Sequence, residues 1–237
     1  MDKLINGAEK LGLTFTSRQV EQFSTCYHEL LKWNKRINLT TITDYQEVQI
    51  RHFLDSLTVT LGLKKLIDND RVIDIGTGAG FPGIPLKIVF PEMKLVLLDA
   101  TAKKADFLNH LTQKLGLDDV EIMVGRAEEV AHLSQYRESF DIVLSRALAS
   151  LPALVELTLP FCTIGGSVIA QKKGEIKPEI EQAEKVIGLM GGILREVKDV
   201  DLDEFTDKRQ LIIIDKISPT PHQYPRRSGI PAKRPIL

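Results

Sequence analysis

From Arg71 onward, short runs rich in Val, Ile and Leu alternate with segments of helical spacing. That alternation constrains the fold more than any other feature, because it is the pattern of a mostly parallel, doubly wound sheet with helices on both faces. The spacing predicts strands over 72–75, 95–99, 120–124, 141–145, 166–171, 194–200 and 210–216, and helices over 84–90, 102–115, 127–133, 151–161 and 178–190. Five strand and helix alternations followed by two adjacent strands give seven strands, the last two a hairpin. The expected fold class is therefore α/β and Rossmann-like, with residues 69–216 as its domain.

Residues 1–68 read as a helical extension packed on that domain. Thr16 to Gln19 fits a capping box, in which the Thr oxygen accepts from the amide three residues on and Gln reaches back. Val20, Phe23, Tyr27, Leu30 and Leu31 follow at helical spacing. This helix is expected to end near Asn34 and turn through Ile37, Asn38, Leu39 and Thr40. A second box, Thr43 to Gln46, opens another helical stretch whose Val48, Phe53, Leu54, Leu57 and Leu61 can face the first.

At 237 residues, 43% of them hydrophobic and 27% charged, the chain can bury a sizeable core. Disordered, collagen-like and disulfide-scaffold classes are excluded. Apolar runs such as 211–214 fall far short of the roughly 18 residues of a spanning helix, and Met1 opens no signal pattern, so a cytoplasmic protein is expected. Cys26, Cys162 and the five histidines are scattered, which implies neither a disulfide framework nor a metal site. The net charge of −1 hides a split. Lys216, Arg226, Arg227, Lys233 and Arg234 meet no acid after residue 215, which leaves 26 basic and 32 acidic residues in 1–215. The Pro-rich tail, 217–237, is either a solvated extension or an arm for a polyanion such as RNA.

The sharpest local signal is Asp74-Ile75-Gly76-Thr77-Gly78-Ala79-Gly80-Phe81-Pro82-Gly83, after a strand and before a helix. Glycines there let backbone pass close to a ligand. A dinucleotide site would read G-x-G-x-x-G; here Phe81 stands at the third glycine of that pattern. The run instead resembles the first motif of class I methyltransferases that use S-adenosylmethionine. Asp99 ends the second strand, where an acid can accept from both ribose hydroxyls. Arg126-Ala127-Glu128 follows the third strand, where an amide and a carboxylate could hold an adenine edge. The structural alternative for both acids is a helix N-terminal charge facing the dipole. Ser145 and Arg146 end the fourth strand and are the candidate catalytic pair that positions an acceptor. No Asp-Pro-Pro-aromatic run of amino-directed enzymes occurs there, and Cys162, placed in an apolar helix, reads as core rather than as a nucleophile. A ring-nitrogen acceptor such as guanine N7 fits, because its in-plane lone pair needs alignment and a favourable field more than a base.

Trp33-Asn34 with Asn38-Leu39-Thr40, Arg51-His52-Phe53-Leu54-Asp55-Ser56-Leu57, the run from Asp74 to Pro85, Gly125-Arg126-Ala127-Glu128-Glu129, Ser145-Arg146-Ala147 and Tyr224-Pro225-Arg226-Arg227 together resemble the bacterial 16S ribosomal RNA guanine-N7 methyltransferases, the RsmG or glucose-inhibited division protein B family. The resemblance implies S-adenosylmethionine as donor, S-adenosylhomocysteine as product and a guanine of small-subunit rRNA as acceptor. It implies cofactor contacts at Gly76, Phe81, Ala127, Glu128 and Arg146, to which the motif itself adds Gly78 and Asp99, and substrate-side basic positions at Arg126 and Arg209, to which the tail adds Arg226 and Arg227 as candidate RNA contacts. Ala100 stands where many members carry Ser, which removes a hydroxyl there. The expected partner is the small ribosomal subunit, with the chain a monomer and neither metal nor membrane involved. Two other functions share these features: a small-molecule methyltransferase of the same fold, which predicts an enclosed pocket, and a non-catalytic ribosome- or RNA-binding protein.

Overall fold

The computed structural model describes residues 1–65 and 67–237. Strands β1 (Arg71–Ile75), β2 (Lys94–Asp99), β3 (Val120–Val124), β4 (Phe140–Arg146), β5 (Cys162–Lys173), β6 (Gly192–Asp199) and β7 (Arg209–Lys216) form one sheet in the order β3-β2-β1-β4-β5-β7-β6. The first five pair in parallel, and β7 runs antiparallel between β5 and β6, which is the terminal hairpin. The order reverses between β1 and β4, and this opens a crevice beyond their carboxyl ends.

Both faces of the sheet are covered, so its strands are apolar on both sides. Val72, Leu95, Leu97, Leu144, Ile169 and Ile213 point into one core; Ile73, Val96, Leu98, Val143, Val168 and Ile212 point into the other. The first core is shared with α1 (Asp2–Lys10), α2 (Ser17–Asn34), α5 (Gly83–Val89) and α6 (Ala102–Leu115). The second is closed by α7 (Ala127–Val130), α8 (Leu151–Thr158) and α9 (Lys177–Leu189). The tail packs here too, ending in α10 (Ile230–Lys233) against α8.

The capping box at Thr16 and Gln19 is complete. Asn34 then fixes the next turn, its Oδ1 accepting from the Leu39 and Thr40 amides at 2.8 and 3.0 Å while its Nδ2 donates to the Thr40 carbonyl at 2.9 Å. Trp33 packs on Phe107 of α6, and Lys32, Lys35 and Arg36 face solvent.

Four expectations change. Helix α1 precedes the first one read from the sequence. The second cap is Asp44 rather than Thr43: Asp44 Oδ1 accepts from the Gln46 and Glu47 amides. The stretch that follows is not one regular helix, since α3 (Tyr45–Val48) passes through a π-helical turn, Gln49–Leu54, into α4 (Asp55–Leu57) and a 3-10 turn, Thr58–Gly62. Cys162 begins β5 instead of lying in a helix; both cysteines are buried, and burial pushes their thiols up to about 12, which leaves them inert.

Candidate active site at the strand ends

The turn after β1 is stapled to β2 by the Gly76 and Thr77 amides, which donate to the Leu98 carbonyl at 2.9 and 3.1 Å. Gly76 and Gly78 have φ of 71° and 61°, the left-handed region that favours glycine. At Gly76 a Cβ would strike Leu148; at Gly78 it would meet nothing closer than the Gly76 carbonyl at 3.9 Å, so the turn offers bare backbone to the crevice. Asp74 sits beneath, fully buried, with Oδ2 accepting from Thr77 Oγ1 at 2.7 Å and the Gly83 amide at 2.9 Å and Oδ1 without a partner. Burial pushes its carboxyl up to about 6.

Asp99 ends β2 beside this turn. Its Oδ2 accepts from the Gly78 amide at 3.0 Å and lies 3.4 Å from Lys104 Nζ, and its Oδ1 accepts from the Thr101 amide at 2.9 Å. A carboxylate has about four acceptor positions, so one stays open and the long Lys104 contact can be exchanged. Arg126 is the N-cap of α7 and is exposed. Glu128, in the first turn of α7, is buried, and its Oε1 accepts from the Gly229 amide of the tail at 2.7 Å. Gly76, Asp99, Arg126, Ala127, Glu128 and the tail residues Gly229 and Ala232 together line a cleft of about 350 Å³. The bare turn, an acid for vicinal hydroxyls and a size within the usual ligand-pocket range fit a nucleoside-bearing ligand.

A second cluster forms where β4 meets the helical extension. Arg146 Nη1 bonds to Asp55 Oδ2 at 3.0 Å and to the Arg51 carbonyl at 3.3 Å, with the guanidinium 5.3 Å from the Phe81 ring centroid. His52 stacks on the Phe81 ring, 4.8 Å between centroids, and its Nε2 pairs with Thr40 Oγ1 at 2.8 Å. Burial, with Arg146 nearby, holds its imidazole down to about 3, so it is neutral at pH 7.

Several residues read as site groups have other work. Ser145 is fully buried between β1 and β5, its Oγ 3.5 Å from the Ile75 carbonyl, and presents nothing to the crevice. The Phe81 side chain is buried behind the cleft as the platform under His52 and Arg146. Arg209 is 3% exposed and ion-paired with Asp55 and Asp207, so it is no phosphate contact. Arg226 makes a forked pair with the carboxylate of Glu156, whose exposure is 0%. Lys216 is buried against the Met190 carbonyl and Glu138. The tail is therefore docked on the domain, with Arg227, Lys233 and Arg234 left exposed.

Asp55, His52 and the tail backbone at Gly229 were not legible as site groups. The run 51–57 signalled the first two, but their partners lie more than 90 residues away in the case of Arg146. Among the described residues no cluster of His, Cys, Asp or Glu is arranged to hold a metal, and no helix is long and apolar enough to cross a membrane.

Solved structures with this architecture include a SAM-dependent methyltransferase from Aquifex aeolicus (TM-score 0.53, 16% identity, 73% of this chain and 94% of that one). Another is the precorrin-6y C5,15-methyltransferase of Geobacter metallireducens (TM-score 0.50, 15% identity, 76% and 91%). The fold is that of class I methyltransferases. Curated relatives named ribosomal RNA small subunit methyltransferase G are much nearer in sequence. That of Dehalococcoides mccartyi strain BAV1 is 50% identical over 238 residues, and that of Roseiflexus castenholzii is 46% identical over 237, each covering 100% of both chains. The model of the GidB family, described as rRNA small subunit methyltransferase G, matches residues 19–212, and this chain belongs to that family.

Proposed function

We propose that the protein transfers a methyl group from S-adenosylmethionine to N7 of a guanine in 16S rRNA of the small ribosomal subunit. The observation that carries this reading is full-length identity of 43–50% to relatives named for small-subunit rRNA methylation. The donor, when bound, supplies an electrophilic sulfonium methyl group. The Gly76–Gly78 turn, Asp99, Ala127 and Glu128 would hold it, with Asp99 exchanging Lys104 for ribose hydroxyls. Phe81 contributes from behind, by supporting Arg146 and His52.

Arg146 orients the guanine. Its charge is already matched by Asp55, so it adds little repulsion toward a nearby cation, and its unused donors can meet an acceptor oxygen. His52 is neutral and in-plane attack by N7 releases no proton, so alignment carries the step. Arg126 and Arg227, both exposed, supply phosphate contacts.

Labelled S-adenosylmethionine incubated with small subunits from cells lacking the enzyme should place label at one N7-methylguanine of 16S rRNA. Absence of label in free rRNA, assembly intermediates and mature subunits alike would refute the reading. Calorimetry with the donor alone tests the cofactor separately.

A further inference from the structure

The run Arg51-His52-Phe53-Leu54-Asp55 contributes to the family resemblance, yet the reaction outlined above uses Asp55 only to match the charge of Arg146. Asp55 directly follows the π-helical turn Gln49–Leu54, a rare geometry that recurs at functional sites. It is 4% exposed and stands between arginines from two different strands. Oδ2 holds Arg146 of β4 at 3.0 Å, and Oδ1 holds Arg209 of β7. The Asp55 backbone carbonyl accepts from Gln171 Nε2 of β5, which also reaches Thr58 Oγ1 at 3.2 Å. Arg209 is gripped from behind by Asp207 at 2.7 Å and lies 4.0 Å over the Phe205 ring. The carboxylate is thus fixed at both oxygens and through its own backbone.

This anchoring has one outlet. Asp55 and Arg209 are held deep in the protein, and Asp207 lies at the surface, where it also meets Lys173; of the two arginines on Asp55, Arg146, with a side chain 17% exposed, is the one that reaches the strand ends. Both of its protein bonds use Nη1. A guanidinium is planar and carries five donors in a rigid fork, so fixing the Nη1 edge against Asp55 and the flat face over Phe81 also fixes the direction of Nε and Nη2.

We propose that Asp55 is the positioning residue of Arg146: the helical extension, through this carboxylate, sets the angle at which Arg146 meets the acceptor. The proposal rests on the reading of Arg146 given above. It assigns the extension a part in methyl transfer in addition to its packing.

Asp55→Asn, Arg146→Lys and the double variant of the full chain test this by steady-state methylation of unmethylated small subunits and by the ¹⁵N resonances of the Arg146 guanidinium. Asp55→Asn should lower kcat about 10²-fold, the scale of a small misplacement, with KM and donor affinity changed less than about 3-fold. Slow Cζ–Nη rotation in the native protein should become fast. In the Arg146→Lys background the same change should cost little more, because the two act through one interaction. If Asp55→Asn does not fold, Asp55→Asn with Arg209→Met removes the second buried cation and keeps the question on Arg146. Unchanged guanidinium rotation, or losses that add in full, would overturn the proposal. A native protein that shows the hindered guanidinium, released by Asp55→Asn, but labels no rRNA would refute the methylation reading and leave the positioning role standing.

Discussion

Asp74, beneath the glycine turn, and His52, stacked on Phe81, draw stability in opposite directions as the pH falls. Burial raises the Asp74 carboxyl from 3.8 to about 6, so its contribution is full below pH 3.8 and is lost as pH rises through 6. Burial lowers the His52 imidazole from 6.5 to about 3, so its contribution is full above pH 6.5 and is lost as pH falls toward 3. Between pH 4 and 6 the two partly cancel. Removing one exposes the other: the stabilities of Asp74→Asn and the native protein should draw together as pH drops from 7 to 4, by an amount on the order of 2 to 3 kcal/mol. His52→Gln should flatten the acid loss instead. Urea unfolding across this range measures both, and parallel curves for Asp74→Asn would show that its burial carries no such cost.

Among the elements, the pairing of the tail with α8 is the one on which the cleft depends. Glu156 is a fully buried carboxylate whose charge is matched by Arg226 from 70 residues away. Arg226→Ala strands that charge, and breaking such a pair costs about 3 to 5 kcal/mol; thermal unfolding should fall accordingly, whereas Arg227→Ala at an exposed position should leave it nearly unchanged. The contrast marks the limit of the sequence. Repeating apolar pattern and local caps made the seven strands, their hairpin, α6 and the end of α2 legible, because a period of two or 3.6 and a Thr-x-x-Gln box are short-range signals. Helix α1 lacks such a cap and went unread, and nothing local distinguishes Asp44 from Thr43. That Asp99, Glu128 and the glycine turn line one cleft was legible because strand ends gather in one crevice. Arg209, Arg226 and Ser145 misled for the opposite reason: whether a polar side chain faces water or a partner is decided by contacts 70 to 154 residues distant, as in Ser145 with Ile75, Arg226 with Glu156, and Arg209 with Asp55.

At the scale of the molecule, the basic end and the acidic body are one structure. Two of the five basic groups after residue 215 neutralise or fill the interior, and three stay exposed. A chain cut after residue 227, which keeps Arg226 on Glu156, should keep its sheet by circular dichroism but bind S-adenosylmethionine more weakly, since Gly229 and Ala232 form one wall. Unchanged affinity would remove the tail from the cofactor site. Coupling of this kind is reciprocal, so donor should protect amides 226–232 from hydrogen exchange. That wall is a chain end rather than a strand of the sheet, docked through the Arg226–Glu156 fork, the Gly229–Glu128 bond and the packing of α10 on α8, so it can open by local unfolding, while the core stays closed, only when these contacts break together. If donor and product occupy this cleft, as proposed, their release should wait on the lifting of a terminal segment, and turnover could be tuned there without loosening the fold.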